Sequence, residues 1–322
     1  MCTFAPKWNR VMKRILLIWF LGIMMVACTE DEDISPAITH RIIAISSSTG
    51  IGDQGYVDKI FAGYERVYSS LAPSTYMQIC TPRSLDEAYE MSLRTLEKAK
   101  DGVPTLVIFG NVEYKSLVDS LRIQESLSGS NVSILLFEAD SMASALNDLN
   151  YYSFIFSSYG ASYEAGKYVA ETGFEHPLIW LSNPVDKTLD GFREGFSDGY
   201  FDVKGRRPDV RSLADDWRGY NMSDSAYRAM PALSKEYDFI FPVMGGSNLG
   251  IFRYLREHPE GPYVAGMDVD QGRYANRILG SIIKNIDQVI VDFIESWMAG
   301  EEIPSHSVFD TSSGYVEWYI TK

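Results

Sequence analysis

The sequence predicts an α/β protein made of two doubly wound, parallel-sheet domains with a hinge between them. Three observations lead there. From residue 41 onward, apolar runs of strand length alternate with longer segments of helical spacing. Runs such as Leu106-Val107-Ile108-Phe109 and Ile134-Leu135-Leu136-Phe137 lack the period-2 alternation of a half-exposed strand, as expected where helices cover both faces of a parallel sheet. The alternation then restarts after Ser157-Ser158-Tyr159-Gly160 and runs for a similar length, which suits a chain of 322 residues with room for two cores.

Taken in order, the chain opens with a leader. Lys13-Arg14 and the apolar stretch Ile15 to Ala27 read as the n- and h-regions of a signal peptide, too short for a comfortable permanent span. Met25-Val26-Ala27-Cys28 resembles a bacterial lipoprotein signal box, which implies cleavage after residue 27 and lipidation of Cys28; an uncleaved anchor is the other reading. Met12 serves equally well as a start and would remove Cys2. Residues 28–39, with Thr29-Glu30-Asp31-Glu32-Asp33, form an acidic tether too polar to pack. This run resembles the surface-export signal of Bacteroidota lipoproteins, and a plain solvated linker explains it too.

The first lobe is expected over residues 40–157, with strands at 41–47, 75–81, 104–110, 133–139 and 151–157 and helices at 54–70, 84–100, 112–127 and 140–148. The second is expected over 158–284, with helices at 161–173, 187–199, 222–236 and 247–258 and strands at 178–182, 209–214, 238–243 and 262–267. A last amphipathic helix, 285–300, carries Ile286, Val289, Ile290, Phe293, Ile294 and Trp297 on one face. The tail 301–322, ending in the strand-like Tyr315 to Ile320, is assigned to the second lobe.

One stretch points to function. Ser46 to Tyr56 follows the first strand and opens the first helix, where helix-start amides and turn side chains of open α/β sheets converge on ligands. It contains a literal G-x-G-x-x-G, Gly50 to Gly55. A dinucleotide site is nevertheless rejected: Asp53 places a carboxylate where pyrophosphate would sit, the next strand ends without an acid for a ribose, and the leader marks export. No cofactor is expected. Two similar α/β units instead set strand-end turns face to face across a cleft, a favoured small-molecule site.

Charge and composition exclude other classes. The net charge is −14, and it becomes −18 without residues 1–27, which hold four basic residues and no acids. A nucleic acid partner would need a basic face, so none is expected. Of three cysteines, Cys80 alone remains beyond Cys28 and reads as a small buried hydrophobe, leaving no disulfide or cysteine metal site within the chain. Four histidines, His40, His176, His258 and His306, stand in linker or loop positions with no metal-ligand spacing and no neighbouring nucleophile. No catalytic residue or metal site is assigned. The competing class is a nucleoside- or sugar-processing hydrolase using cleft carboxylates, Asp268 and Asp270 on one strand end with Glu138 opposite; a ligand sensor without a transporter is a third.

The motifs in order resemble the basic membrane protein family, purine-nucleoside-receptor-like substrate-binding lipoproteins of ABC transporters with a type I periplasmic-binding-protein fold. The resemblance covers about residues 40–300. It rests on Gly52-Asp53-Gln54-Gly55-Tyr56-Val57, on Tyr159 to Gly166, on Gly191-Phe192-Arg193-Glu194-Gly195-Phe196, on Phe239 to Ser247, and on Ala265 to Gln271 followed by Leu279 to Lys284. It implies a nucleoside-like ligand, an ABC permease as partner, attachment to a cell-envelope membrane through the lipid, and a chain that crosses between lobes more than once.

Carried over position by position, the ligand contacts fall on Asp53, Phe61, Glu138, Trp217, Gly245, Asp268 and Lys284; Gln54, Tyr56 and Gly246 from the same motifs complete the candidate set. Carboxylates accept from ribose hydroxyls, a lysine offsets their charge, and aromatic rings flank a base. Other readings stand beside these. Asp53 also suits a helix cap, Phe61 a core position, Glu138 a solvated strand end, and Asp268 with Lys284 a plain hinge ion pair. The sequence departs from the family pattern where Val57 replaces Asn, Gly55 replaces Ser, Glu138 replaces Asp and Gly280 replaces Thr.

Overall fold

A computed structural model describes residues 37–47, 50–123, 131–139 and 150–321. The leader, Cys28, most of the tether, the helix expected at 140–148 and the end of that at 112–127 lie outside the described residues. From Ile38 onward the chain forms one compact unit of two lobes.

The first lobe alternates β1 (His40–Ile45), α1 (Tyr56–Ser70), β2 (Thr75–Cys80), α2 (Leu85–Lys98), β3 (Thr105–Phe109), α3 (Lys115–Ile123), β4 (Val132–Phe137) and β5 (Asn150–Phe156). All pairings among these strands are parallel. Side chains of a strand point alternately to its two faces, so a run apolar throughout must be covered on both. Ile42 and Ala44 of β1 join Ile60, Tyr64 and Val67 of α1 in one cluster. Ile43 and Ile45 join Ala88 and Leu96 of α2 and Leu117 and Val118 of α3 in another.

The second lobe repeats the scheme with α4 (Tyr159–Thr172), β6 (Pro177–Leu181), α5 (Asp190–Lys204), β7 (Asp209–Ser212), α6 (Ser223–Glu236), β8 (Phe239–Val243), α7 (Asn248–Glu257), β9 (Tyr263–Asp268) and β10 (Ile278–Lys284). Leu178 and Trp180 of β6 pack with Met230 of α6 and Phe252 of α7. Ile179 and Leu181 pack with Ala165 and Val169 of α4 and Phe196 of α5. Helices α4 and α5 touch through their backbones: a methyl group at Gly195 would overlap the Tyr159 carbonyl, and one at Gly199 the Tyr163 carbonyl. Glycine at these two positions is what lets the helices approach.

The chain then returns. Helix α8 (Ile286–Ala299) packs on α1 of the first lobe, with Asp287 3.1 Å from both Lys59 Nζ and Arg66 Nη1. β11 (His306–Phe309) adds to β5 in the first sheet, and β12 (Val316–Ile320) pairs antiparallel with β10 in the second. The final orders are β11-β5-β4-β3-β1-β2 and β12-β10-β9-β8-β6-β7. The tail therefore divides between the lobes, where the sequence reading assigned it wholly to the second. β11 is a four-residue edge strand with no fully buried position, so it carries no apolar run to announce it. β10 also went unassigned as a strand, because Gly280 and Ser281 interrupt its apolar pattern. Gly280 is needed there: a methyl group on it would strike the Trp318 ring of β12. In all, the chain passes between lobes three times, after β5, at Asn285 and between β11 and β12.

Candidate ligand-binding site

Within each sheet, the runs β2-β1-β3-β4-β5 and β7-β6-β8-β9-β10 reverse direction beside the lobe's first strand. Such a reversal opens a crevice at the carboxyl ends of the strands, where the connections diverge to opposite faces. The two crevices together enclose a cavity of about 150 Å³. Its walls are strand ends and the turns that follow: Gly52, Asp53 and Tyr56 after β1, Asn111 after β3, and Glu138 after β4. The second lobe supplies Phe192, Tyr220, Gly245 and Gly246, with Asp268 and Lys284 closing β9 and β10.

The first turn is braced from within. Asp53 accepts from the amides of Gly55, Val57 and Asp58 at 2.9, 2.9 and 3.1 Å, starting α1, while Asp58 accepts from Gly52 and Gln54 at 2.7 and 2.9 Å. Asp53 thus both caps the helix and lines the cavity. Burial pushes its carboxyl above the ordinary range, and the three backbone donors work against that rise.

At the centre lies a buried charge cluster. Lys284 Nζ is 2.6 Å from Glu138 Oε1 and 3.8 Å from Asp268 Oδ1, and all three side chains are at most 5% exposed. The other oxygen of Glu138 accepts from the Phe156 amide at 3.2 Å. Glu138 is therefore a buried partner, not a solvated strand end. Asp268 Oδ1 is buried without a hydrogen-bond partner, as is the Tyr56 hydroxyl. Burial opposes the charge of Lys284, but the Glu138 and Asp268 carboxylates outweigh it and hold the ammonium above its usual value. Burial likewise pushes Asp268 up, and the Asp53 and Glu138 charges add to this against the pull of Lys284, bringing it to about 7.

Three residues at this junction, Gln54, Glu138 and Asp268, have φ of 51°, 54° and 65°, the only described non-glycine residues in the left-handed region. Backbone held this way costs about 1–3 kcal/mol per residue and gathers at functional sites. In each case the turn swings a strand-end or loop group toward the cleft.

The aromatic wall differs from the expected one. Trp217 does not line the cavity; it stacks on Tyr220 with ring centroids 6.0 Å apart and an interplanar angle of 25°, and Tyr220 is the ring at the wall. The Tyr220 hydroxyl donates to Asp186 Oδ2 at 2.6 Å, and Asp186 Oδ1 accepts from the amide and hydroxyl of Thr188. Burial and the Asp186 charge keep the phenol protonated far above the ordinary range. Phe61 is also away from the cavity: its helical position turns it edge-on to Tyr64, at 6.5 Å. Gln54 contributes its carbonyl to a bond across the lobes instead of a lining side chain. Asp270 spends Oδ1 on the Gly272 amide and does not line the cavity.

Tyr220, Phe192, Asn111, Thr188 and Asp186 were not among the residues that the sequence reading selected. Phe192 stands in a motif that was legible, and Tyr220 lies three residues from Trp217 in the same short helix, Trp217–Asn221. Asp186 had no signal, because its role depends on a tyrosine 34 positions away. Among the described residues no group of three or more His, Cys, Asp and Glu side chains is placed to hold a metal ion.

Two doubly wound lobes, three crossings and a cavity between facing strand ends define a two-lobed small-molecule-binding protein of the type I periplasmic-binding-protein kind. The comparisons narrow this class. The family model for ABC transporter substrate-binding proteins of the PnrA-like (Bmp) type matches residues 42–317, and the chain belongs to that family. Basic membrane protein C of Borreliella burgdorferi strain N40 is 22% identical over 294 residues, covering 86% of this chain and 79% of that protein. Among solved structures, the solute-binding protein of an ABC transporter system from Aeropyrum pernix K1 superposes with a TM-score of 0.69 at 17% identity, covering 88% of this chain and 76% of that one. An Agrobacterium vitis ABC transporter solute-binding protein with bound D-fucose reaches 0.61 at 12% identity, covering 88% and 95%. At such identities the structural likeness speaks for the fold.

Proposed function

We propose that the protein binds a nucleoside-like molecule between its lobes and presents it to an ABC permease from the outer side of a membrane, tethered through lipid on Cys28. The observation that carries the ligand reading is the pair of buried oxygens without a hydrogen bond at the cavity, the Tyr56 hydroxyl and Asp268 Oδ1, whose one close charge is Lys284 Nζ at 3.8 Å. One needs a donor and the other can donate, and leaving either unmet in a closed site costs about 1–3 kcal/mol. Adjacent sugar hydroxyls answer both needs. Tyr220, Tyr56 and Phe192 offer ring surface for a flat base. The cavity volume of about 150 Å³ is below the roughly 300–1,000 Å³ usual for ligand sites, so the guest enters as the lobes part and the walls re-form around it. Lys284 is the only cation among the lining residues and is already paired with Glu138, so nucleoside phosphates are excluded for want of a counter-charge. The leader pattern and Val26-Ala27-Cys28 support the lipid anchor, and the acidic run after it supports display at a cell-envelope surface.

Calorimetry or thermal shift against nucleosides, nucleotides, bases and sugars tests the ligand. A nucleoside at 100 times its dissociation constant raises stability by about 2.7 kcal/mol, and Asp268→Asn weakens binding by one to two orders of magnitude. A sugar that binds where every nucleoside fails removes the nucleoside reading. For the anchor, Cys28→Ala leaves an unprocessed or released protein, and unchanged mass with unchanged membrane fractionation refutes it.

A further inference from the structure

Gln271 is polar and only 1% exposed, just beyond β9 in the second lobe, and it is not among the residues lining the cavity between the lobes. Every part of it is committed. Its own amide donates to Ser281 Oγ at 3.0 Å, its Oε1 accepts from the Met267 amide at 3.0 Å, and its Nε2 donates across the cleft to the Gln54 carbonyl at 3.0 Å. Gly266 makes the room, because a methyl group there would lie 2.8 Å from Gln271 Cβ and 3.0 Å from its Oε1. On the opposite lobe the receiving carbonyl is equally fixed: Gln54 has φ of +51° and its amide is held by Asp58 at 2.9 Å. Nearby, a methyl group on Gly246 would come 3.5 Å from Asp53 Cβ, so the same first-lobe turn already rests on the second lobe.

A donor oriented by two local partners, Met267 and Ser281, meets an acceptor held in a strained turn, and neither orientation needs a ligand. We propose that Gln271 is the positioning residue that holds the Asp53 turn against the second lobe before any ligand arrives, so that the ligand-free protein populates a closed form. The inference rests on this geometry whatever the cleft binds. Opening must break this bond while leaving the bonds of Gln271 to Met267 and Ser281 intact, since those lie within one lobe.

Gln271→Glu isolates the latch. It preserves the side-chain shape and the acceptor that Met267 uses, and at alkaline pH, where the carboxyl is ionised, it replaces the donor facing Gln54 with an oxygen that repels the carbonyl. The test is double electron–electron resonance on protein freed of ligand by unfolding and refolding, with nitroxides replacing exposed Tyr68 on α1 and Phe201 on α5 and with Cys2→Ala, Cys28→Ala and Cys80→Ala to prevent labelling elsewhere. The parent is expected to show a short-distance population, and Q271E to lower the closed-to-open ratio about two- to tenfold, the share of one net hydrogen bond. Should Q271E not fold, Gln271→Asn, one methylene too short to span the cleft, takes its place with the same expectation. Coincident distance distributions in parent and variant, or a parent with no short-distance population, overturn the proposal.

Discussion

Lys284 Nζ, at the end of β10 in the second lobe, sits 2.6 Å from Glu138 Oε1, at the end of β4 in the first. The pair is a hinge ion pair and a cavity wall at once, and both side chains are withdrawn from water. Removing one member of such a pair strands the other charge in a poorly solvating medium. Lys284→Met is therefore expected to lower stability by about 3–5 kcal/mol. The double variant with Glu138→Gln should recover part of the loss, because it removes the carboxylate that Lys284 no longer meets. Urea denaturation of the two single variants and the double variant checks this; losses that simply add would show that the two groups do not act as a pair.

The acidity of Asp268 gives two opposite pH trends. Burial, opposed by Lys284 and reinforced by the other acids, lifts its carboxyl from 3.8 to about 7 on folding. A raised acid means that the folded state holds the extra proton. Its contribution to stability is fully present below the unfolded value and is lost as pH rises through about 7. The ligand-free melting temperature should carry a component that falls across that window and disappears in Asp268→Asn. A ligand hydroxyl that donates to the carboxylate prefers the ionised form, so ligand affinity should fall as pH drops below about 7. Calorimetry from pH 5 to 8 reads this directly, and a flat affinity in the parent protein contradicts it.

Tyr220 and Trp217 should separate cleanly in mutagenesis. Tyr220 meets the cavity and Trp217 backs it from 6.0 Å. Tyr220→Ala removes a wall and leaves Asp186 Oδ2 without its donor, so ligand binding should weaken at least about tenfold, the equivalent of losing one good polar contact. Trp217→Ala should act only by loosening Tyr220 and cost a few-fold. Titration of both variants with the best nucleoside decides it, and a larger loss at Trp217 would place the indole in the cleft after all.

The α4–α5 crossing is a stability site remote from the ligand. At Gly199 a methyl group would overlap the Tyr163 carbonyl, a backbone atom that cannot rotate away. Gly199→Ala is expected to lower stability by about 1–3 kcal/mol or more while leaving affinity unchanged in the folded fraction. Thermal melts paired with binding stoichiometry separate the two effects.

The legibility of the chain followed the physics of each signal. Strands β1, β3 and β4 could be read because parallel strands buried on both faces are apolar throughout. The cleft could be inferred because two such units in tandem face their strand ends together. Asp53, Glu138, Asp268 and Lys284 stood at strand ends or helix starts within recognisable motifs, and all four line the cavity. What stayed hidden was set by distant partners. The Tyr220 ring reaches the wall because Gly245 leaves space beneath it and Asp186 fixes its hydroxyl, and neither relation has a local pattern. Trp217 drew the assignment by size and by its polar surroundings, although its neighbour was the ring that reached the cleft. β11 escaped notice because an edge strand of four residues buries too little to impose a period.

The divided tail bears on how the protein is made. The first sheet has no β11 until residue 309 has been synthesised, its helix α8 is not complete until residue 299, and the second sheet has no β12 until residue 320. Neither lobe can finish until nearly the whole chain has been made, although the chain lays down most of the first lobe before Phe156. A fragment cut between the lobes would lack a helix and an edge strand that its own sequence does not encode. The two halves are thus a single inheritance unit: recombination that swaps one lobe for a relative's must carry the segment from Ile286 onward as well, or it will leave the first lobe without α8 and the two sheets without matching last strands.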